Sequence, residues 1–450
     1  MRIAARRVVP RLVATTLILL AAAGAAPAAG LDPLERRLTE AVDRHATESL
    51  ALVERAVNIN SGTLDTAGVA AVARLFAPEF ARLGFTTRWV DGRTWQRAGH
   101  LIATREGRPG APRVLLIGHL DTVFEADSPF QHFQRTSDSI ATGPGVIDMK
   151  GGDVVMLLAL RALADEHALD RVSVTVFLCG DEERNGSPLS LARADLIAAA
   201  HGADLAIGFE DGDGDPRHVI IARRGASEWT LRTAGTPSHS SQIFTTEVGA
   251  GAVFEMARVL AAFQDSLAGE PYLTFNPGLA VGGTTIGYDR SAARGTAYGK
   301  NNVVAESSLV TGDLRTLSLA QREHAKEVMR RIVAASPSHA SASITFDDGY
   351  PPFSPTDGNR RLLALADRAS RDLGLGPLEP VDPARAGAAD VAFTDGITPM
   401  AIDAMGMKGD GGHTVNEWAL LGSLPMQAKR TAVLLVRLQA AGVRSAASRP

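Results

Sequence analysis

The chain has 450 residues, of which 45% are hydrophobic and 21% are charged, a composition typical of a globular protein long enough for two domains. Its net charge of -4 and isoelectric point near 6.3 exclude the broad basic surface that nucleic acid or an anionic membrane would require. Its single cysteine, Cys179, excludes an internal disulfide, so stability must come from the core and from any bound metal. We therefore expect neither a nucleic-acid partner nor a stable membrane association.

The first residues have the pattern of a secretory signal peptide. Four arginines precede an apolar run at 12–26, and Ala-Pro-Ala at 26–28 follows as a small-residue cleavage signal. The run is shorter than the roughly 20 residues that a spanning helix needs, which makes a retained membrane anchor the less favoured alternative. We predict that residues 1–28 are removed and that the protein is exported, to the periplasm or the medium.

Residues 31–224 alternate between helical and strand patterns. Helices are predicted at 31–58, 65–83, 152–167 and 189–201, and short apolar strands at 113–118, 172–178 and 204–208. Such alternation indicates a largely parallel sheet covered by helices on both faces. The pattern resumes after a proline-rich linker at 350–355, with helices at 359–373 and 425–441 and a strand at 399–403. We expect one α/β domain made of residues 31–224 and 351–450.

Residues 225–350 interrupt this domain with a different pattern. Strands are predicted at 228–233, 283–288, 303–314 and 341–346, and helices at 248–267 and 320–335. Two helices among four consecutive strands indicate a compact α+β domain. The second domain is therefore predicted to be inserted into the first.

Histidine and acidic side chains follow the three strands predicted in the first part of the α/β domain. The residues concerned are His119 and Asp121 after the first strand, Glu182 and Glu183 after the second, and Glu210 after the third. Ligands of open α/β sheets bind just beyond the carboxyl ends of the strands. We therefore expect the three clusters to converge on one edge of the sheet.

Two of these clusters suggest metal chemistry by themselves. Side chains of residues i and i+2 lie on the same side of an extended chain, so the Asp121 carboxylate can accept one imidazole proton of His119 and orient the other nitrogen toward a metal. Glu182 and Glu183 would repel each other in a shared pocket that held no cation. One of them can bind metal while the other transfers a proton, and a solvated acidic turn is the alternative.

Two further candidates lie in glycine-rich loops. Asp148 lies in Gly-Pro-Gly-Val-Ile-Asp-Met-Lys-Gly-Gly at 143–152, where it could bridge two cations or cap a helix. His413 ends Gly-Asp-Gly-Gly-His at 409–413 and is by itself equally consistent with a loop histidine and with a ligand. The sequence contains no His-Glu-x-x-His, Gly-x-Ser-x-Gly or Cys-x-x-Cys motif, which excludes those competing chemistries.

These residues, in this order, resemble the motifs of the M20 metallopeptidases, which include glutamate carboxypeptidase, succinyl-diaminopimelate desuccinylase, acetylornithine deacetylase and aminoacylase. The resemblance implies an amide hydrolase with two zinc ions per subunit, which cobalt or manganese could replace. It implies a zinc-peptidase-like catalytic domain and an inserted lid or dimerisation domain with a four-stranded antiparallel sheet. It also implies a cis peptide between residues 148 and 149, Glu182 as the base, Asp121 as the aspartate that supports the ligand His119, and five metal ligands: His119, Asp148, Glu183, Glu210 and His413.

The inserted domain carries further resemblances. Thr-Pro-Ser-His at 236–239 resembles the lid histidine motif, Asn302 begins an Asn-Val-Val like the family's Asn-Val-Ile-Pro, and Arg315 ends an Asp-x-Arg strand. In the family, such a histidine supports the oxyanion, often across a dimer, and the asparagine and arginine hold a carboxylate. A surface salt bridge is the alternative for Arg315. Ala305 replaces the usual proline, which puts the local loop geometry in doubt.

The resemblance also indicates a substrate class. Carboxypeptidases and deacylases of the family tend to have Glu at the fourth ligand position, which Glu210 occupies here. Together with Arg315, this favours a small peptide or an N-acyl amino acid with a free carboxylate. An aminopeptidase or dipeptidase is the alternative within the family, and a non-catalytic binding protein is the alternative outside it.

Overall fold

The computed structural model describes residues 30–443, so the predicted signal peptide lies outside the described residues. Between residues 30 and 443, no helix is both long and apolar enough to cross a membrane. The described chain folds around two main sheets, each with its own hydrophobic core.

The first part of the chain alternates helices and strands, as predicted. Its helices are α1 (Pro33–Val57), α2 (Thr66–Arg82), α3 (Lys150–Asp165), α4 (Leu189–Ala192) and α5 (Ala194–His201). Its strands are β1 (Thr86–Asp91), β2 (Gly99–Arg105), β3 (Arg113–His119), β4 (Gln134–Arg135), β5 (Ile140–Thr142), β6 (Ser173–Cys179), β7 (Leu205–Gly208) and β8 (His218–Val219). The helix predicted at 189–201 is interrupted at Arg193, whose fully buried side chain makes two ion pairs.

The inserted part contains β9 (Gly225–Gly235), α6 (Gly251–Leu267), β10 (Thr274–Gly283), β11 (Thr285–Asp289), β12 (Arg294–Tyr298), β13 (Ser307–Thr316), α7 (Leu319–Ala334) and β14 (Ala340–Asp348). β10, β13, β9 and β14 form a four-stranded antiparallel sheet in that order. Its core joins strand residues such as Trp229 to α6 residues such as Phe263 and α7 residues such as Met329. Both helices match the prediction, and so do three of the four predicted strands, which correspond to β9, β13 and β14.

One predicted strand of this sheet is wrong. The segment predicted at 283–288 forms β11, which pairs with β12 in a separate hairpin. Its place in the sheet is taken by β10, which the sequence did not indicate. β10 contains Pro277 and Gly278 and shows a register irregularity there, and both residue types are unusual inside strands.

The last part of the chain returns to the first domain with α8 (Asp357–Asp372), β15 (Glu379–Pro380), β16 (Ala401–Ile402), β17 (Gly409–Asp410), β18 (Trp418–Leu420) and α9 (Ser423–Arg437). In the described chain the main sheet has the strand order β1-β2-β6-β3-β7-β16. β6, β3, β7 and β16 are mutually parallel, β2 pairs antiparallel with β6, and β1 pairs antiparallel with β2. The sequence missed β1 and β2, but the predicted largely parallel sheet is confirmed.

Both faces of the parallel strands are covered, which explains their apolar sequences. One face packs on the core that includes α1, α3 and α9, and the other on a second core that includes α5. A small sheet in the order β17-β18-β5-β4 joins the end of the chain to the segment just before Asp148. The loop that contains His413, between β17 and β18, is therefore held beside the Asp148 loop.

Candidate metal centre

The carboxyl ends of three parallel strands meet at one edge of the main sheet. His119 is the last residue of β3 and is in register with Cys179, the last residue of β6. Ile117 of β3 is in register with Gly208, the last residue of β7. The clusters that follow these strands are therefore adjacent, as the sequence predicts.

The His119 imidazole is buried, and its two nitrogens face different partners. Nδ1 lies 3.0 Å from the backbone carbonyl oxygen of Asp121, to which it donates, and 3.5 Å from the carboxylate oxygen Oδ1 of the same residue. The nearer acceptor of Asp121 is thus its carbonyl, whereas the sequence suggested its carboxylate. Nε2 is left facing Asp148 Oδ1 at 2.9 Å and Glu210 Oε1 at 3.7 Å.

The Asp121 carboxylate has a further role that the sequence did not indicate. Its Oδ1 accepts a hydrogen bond of 3.1 Å from the backbone N–H of Glu182, and its Oδ2 accepts one of 3.1 Å from that of Glu183. Oδ2 also accepts a bond of 2.7 Å from the Thr63 hydroxyl. Asp121 therefore fixes the backbone of the acidic pair and contacts His119 as well.

The Asp148 carboxylate lies between two imidazoles. Oδ1 is 2.9 Å from His119 Nε2, and Oδ2 is 2.9 Å from His413 Nε2. The His413 nitrogen also lies 3.3 Å from Glu183 Oε2, and the His413 side chain is 61% exposed. The peptide bond between Asp148 and Met149 is cis, which confirms that expectation. Burial opposes ionisation of Asp148, but the two histidines outweigh it and lower its pKa.

The acidic side chains at this edge are crowded and partly buried. Burial raises the pKa of Glu182 to about 8 and that of Glu183 to about 10, and the nearby Asp148 charge adds to both. Burial also raises the pKa of Glu210 well above its ordinary value. Burial lowers the pKa of His119, but the Glu210, Asp121 and Asp148 carboxylates reverse this and raise it. Such a surplus of carboxylates is unfavourable unless positive charge is present.

The donor atoms fit a divalent transition metal. One ligand atom each of His119, Asp148 and Glu183 lies within 4.8 Å of the others. Among residues 30–443, the buried Glu183 Oε1 has no hydrogen-bond partner, which is unusual for a buried polar atom and leaves it available to a metal ion. Imidazole nitrogens with carboxylate oxygens are donors that zinc, cobalt and manganese accept. The residues present therefore suit a metal centre.

Glu417 is a residue of this region that the sequence did not single out. Its buried carboxylate accepts backbone N–H bonds of 3.0 Å from Gly145, 2.9 Å from Ile147 and 3.3 Å from Asp148. It follows His413 by four residues and so connects the two glycine-rich loops. The only available sequence signal was an acid in an apolar segment close to His413.

The three predicted lid residues are not brought to this edge. His239 and Asn302 are exposed and adjacent, since the Ser240 N–H donates to the Asn302 carbonyl at 2.9 Å. Arg315 on β13 donates through Nε to the Asp313 carboxylate at 2.8 Å, which is the salt bridge named above as the alternative. Within residues 30–443, no hydrogen bond or ion pair joins these three residues to the cluster around Asp148.

Comparisons with known proteins show the family of this chain. Residues 115–437 match the model of the peptidase family M20/M25/M40. Carboxypeptidase G2 of Pseudomonas sp. strain RS-16 is 25% identical over 395 residues, which are 86% of this chain and 88% of that protein. A succinyl-diaminopimelate desuccinylase of Leptothrix cholodnii is 33% identical over 143 residues, 30% of this chain and 36% of that protein.

A solved structure shows the same fold. The aminopeptidase PepT of Bacillus cereus superimposes with a TM-score of 0.67 at 18% identity, covering 88% of this chain and 99% of that chain. The match to the family model covers more than half of the described residues and includes all five predicted ligands. The chain belongs to the M20 family of metallopeptidases, metal-binding hydrolases of peptide and other amide bonds.

Proposed function

We propose that the protein is an exported hydrolase with two zinc ions that cleaves an amide bond in a small substrate with a free carboxylate. The substrate is a short peptide cut at its C-terminus or an N-acyl amino acid. The observation that carries the proposal is the Asp148 carboxylate, whose two oxygens each lie 2.9 Å from a different imidazole. A carboxylate with one oxygen on each side is suited to bridge two cations.

The distances suggest how the five predicted ligands divide. His119 and Glu210, with donor atoms 3.7 Å apart, would hold one ion together with Asp148 Oδ1. His413 and Glu183, with donor atoms 3.3 Å apart, would hold the other together with Asp148 Oδ2. Bound zinc supplies positive charge that polarises the substrate carbonyl and makes water acidic enough to attack near neutral pH.

Glu182 is the proposed base. It takes a proton from the attacking water on its carboxylate and delivers that proton to the departing nitrogen. One observation supports this role: the backbone N–H of Glu182 is fixed by Asp121, which holds the residue at the edge where the proposed ligands meet.

Arg315 and Asn302 are the proposed carboxylate-binding residues. In the described chain Arg315 uses only Nε in its hydrogen bond to Asp313, which leaves both terminal nitrogens of the guanidinium for a substrate. These two nitrogens can bind a carboxylate through two parallel hydrogen bonds. The similarity to carboxypeptidase G2 and to the desuccinylase supports the same substrate class.

His239 is the proposed oxyanion-supporting residue, and it lies in the inserted domain, away from Asp148. Reaching the site requires movement of that domain or a second subunit. Phe244 and Phe254 form an exposed aromatic pair in the same domain, 68% and 54% exposed, with ring centroids 5.6 Å apart. Exposed aromatic pairs are typical of protein interfaces, which supports a homodimer through this domain.

The experiment combines metal analysis with hydrolysis of a matched substrate panel. The panel pairs N-acyl amino acids and N-blocked dipeptides with their C-terminal amides and with unblocked dipeptides. We expect cleavage of blocked substrates with a free carboxylate and loss of cleavage in the amides. Cleavage that requires a free amino group would show an aminopeptidase or dipeptidase instead, and bound metal without any product would show a binding protein.

A further inference from the structure

Tyr350 lies where the chain crosses from the inserted domain back to the catalytic domain. The Ala226 N–H donates to the Tyr350 carbonyl at 2.9 Å, and the Gly349 N–H donates to the Ala226 carbonyl at 3.0 Å. Ala226 belongs to β9, the first strand of the inserted domain. The chain thus crosses between the two domains twice, first near Ala226 and again near Tyr350, and the two crossings are hydrogen-bonded to each other. A hinge between the domains would act at this position.

The side chain of Tyr350 reaches into the catalytic domain and is only 9% exposed. Its hydroxyl oxygen accepts from Arg193 Nη2 at 3.1 Å and from Asn185 Nδ2 at 3.0 Å. Because both of these groups can only donate, the phenol proton must point elsewhere. It points to the backbone carbonyl oxygen of Glu182, 3.1 Å away.

Arg193 fixes the position of this hydroxyl. Its guanidinium is fully buried between Asp181 Oδ1 at 2.6 Å and Asp390 Oδ1 at 2.7 Å. The same guanidinium lies 5.9 Å from the centre of the Tyr350 ring and 5.6 Å from that of the Phe393 ring. These contacts hold the Tyr350 side chain in the catalytic domain, whereas its backbone is hydrogen-bonded to β9 of the inserted domain.

The two backbone polar groups of Glu182 therefore have different anchors. Its N–H is held by Asp121, inside the catalytic domain, and its carbonyl is held by Tyr350, in the hinge, together with Asn185 Nδ2. We propose that Tyr350 is a positioning residue through which the orientation of the inserted domain sets the position of the Glu182 side chain. This inference rests on the proposed function, in which Glu182 is the base. A displacement of about 1 Å at a proton-transfer group is enough to slow a reaction strongly.

The first crossing has a matching connection. Arg223 is in a bridge with Phe353 of the second crossing, and its guanidinium pairs with Asp403 Oδ2 at 2.7 Å. Asp403 Oδ1 accepts the backbone N–H of Glu210 at 3.3 Å. The second crossing thus contacts the Glu182 backbone directly, and the first reaches the Glu210 backbone through Asp403, so a hinge rotation would act on the base and on a ligand together.

The test is Tyr350→Phe, which removes the hydroxyl and keeps the ring packed against Arg193. We expect unchanged metal content, a KM within about twofold of the wild type, and a kcat lower by about tenfold, the effect of one hydrogen bond. The control is Ser354→Ala, which removes a hydroxyl of the same crossing whose partner is Asp395 at 2.9 Å. Its kcat should equal that of the wild type. An unchanged kcat in Tyr350→Phe, or an equal fall in both variants, would overturn the proposal.

A double-mutant cycle separates positioning from general stability. In a Glu182→Asp background, Tyr350→Phe should lower kcat by less than about threefold, because the two residues act through the same step. A full tenfold effect in that background would contradict the coupling.

If Tyr350→Phe does not fold, Asn185→Ala removes the other side-chain donor to the Glu182 carbonyl, at 3.1 Å, and must lower kcat without changing KM. An unchanged kcat there also overturns the proposal.

The cycle also tells the two proposals apart. Wild-type kcat in Glu182→Asp would refute the assignment of Glu182 as the base, and the proposed function with it. Impaired kcat in Glu182→Asp together with wild-type kcat in Tyr350→Phe would refute only the coupling to the hinge.

Discussion

The edge of the main sheet and the inserted domain present their predicted site residues in opposite ways. Around Asp148 the side chains touch one another, and buried groups fix their backbones, as Asp121 does for the acidic pair and Glu417 does for the Asp148 loop. His239 and Asn302 are exposed, and Arg315 is paired with its own neighbour Asp313. In the described chain the first set is assembled at one place, and the second set does not contact it.

This difference separates two tasks of the proposed enzyme. Metal binding and proton transfer need fixed distances, which a rigid, buried surround provides. Substrate entry needs an open site. Residues that hold the substrate can therefore lie on a mobile domain or on another subunit and contact the substrate only after it has entered. We expect substitutions at the sheet edge to change turnover and metal binding, and substitutions in the inserted domain to change substrate binding.

The largest effect is expected for Glu182→Gln. Loss of the carboxylate removes the proposed proton acceptor, so kcat should fall by about 10²–10⁴-fold while the metal content stays at the wild-type value. Steady-state kinetics and metal analysis on the same sample check this. Glu106→Gln, an exposed change near the opposite end of β3, serves as the control. A Glu182→Gln enzyme with near wild-type turnover would remove Glu182 from the mechanism.

A smaller effect is expected for Glu417→Gln. The amide keeps one acceptor oxygen but replaces the other with an NH2 group, so at least one of the three backbone N–H groups loses its acceptor and the Asp148 loop should loosen. We expect the metal dissociation constant to rise by about 10–100-fold, as for other groups that orient ligands. Competition with a chelator measures it, with the exposed Asp410→Asn of the same segment as the control. Equal affinities in the two variants would show that the loop does not depend on Glu417.

In the inserted domain, Arg315→Lys should raise KM by about tenfold for substrates with a free carboxylate, because lysine keeps the charge but loses the two-nitrogen fork. The kcat should change less. Arg290→Lys is the matched control, since Arg290 is also paired with carboxylates of this domain. If the KM for these substrates stayed at the wild-type value in Arg315→Lys, or rose equally in Arg290→Lys, Arg315 would not be the carboxylate-binding residue.

The smallest effect concerns the stability of the inserted domain. Burial opposes ionisation of Asp348, but bonds from Lys326 at 2.6 Å and from Ser227 at 2.8 Å lower its pKa. A folded pKa below the unfolded value means that the carboxylate stabilises the domain above about pH 4 and loses this contribution as pH falls through the folded value. Because the Asp348 side chain is 37% exposed and solvent screens its charge, we expect Asp348→Asn to cost about 1 kcal/mol or less at pH 7.

Thermal unfolding at several pH values measures this difference. The gap between Asp348→Asn and the wild type should shrink as the pH falls below about 4. Glu327→Gln, an exposed change on α7, controls for the loss of one negative charge. A gap that stays constant down to acidic pH would show that the Asp348 charge contributes nothing.

The sequence predicts the elements that carry strong local patterns. β3, β6 and β7 are apolar runs because both faces of the sheet are buried, and their ends carry the acids and histidines that the structure brings together. β1 has a mostly exposed and polar sequence, so no apolar run marks it. The break at Arg193 depends on buried ion pairs with residues as distant in sequence as Asp390, which no local pattern records.

The contacts that fix the site also lie beyond local patterns. Glu417 binds backbone groups about 270 residues away in the chain, and Tyr350 reaches Glu182 from a segment that reads only as a proline-rich linker. Such partners are set by the tertiary fold. The sequence could therefore indicate which residues surround a metal, but it could not indicate which residues hold them in place.

The most direct test of the central claim is the number of metal ions bound per chain, measured together with activity. We predict two ions in the active wild-type protein, about one in His413→Ala because one proposed ion loses its imidazole, and loss of activity on chelation that zinc restores. A fully active wild-type protein with one ion or none, or a His413→Ala protein that keeps both ions and full activity, would contradict the account.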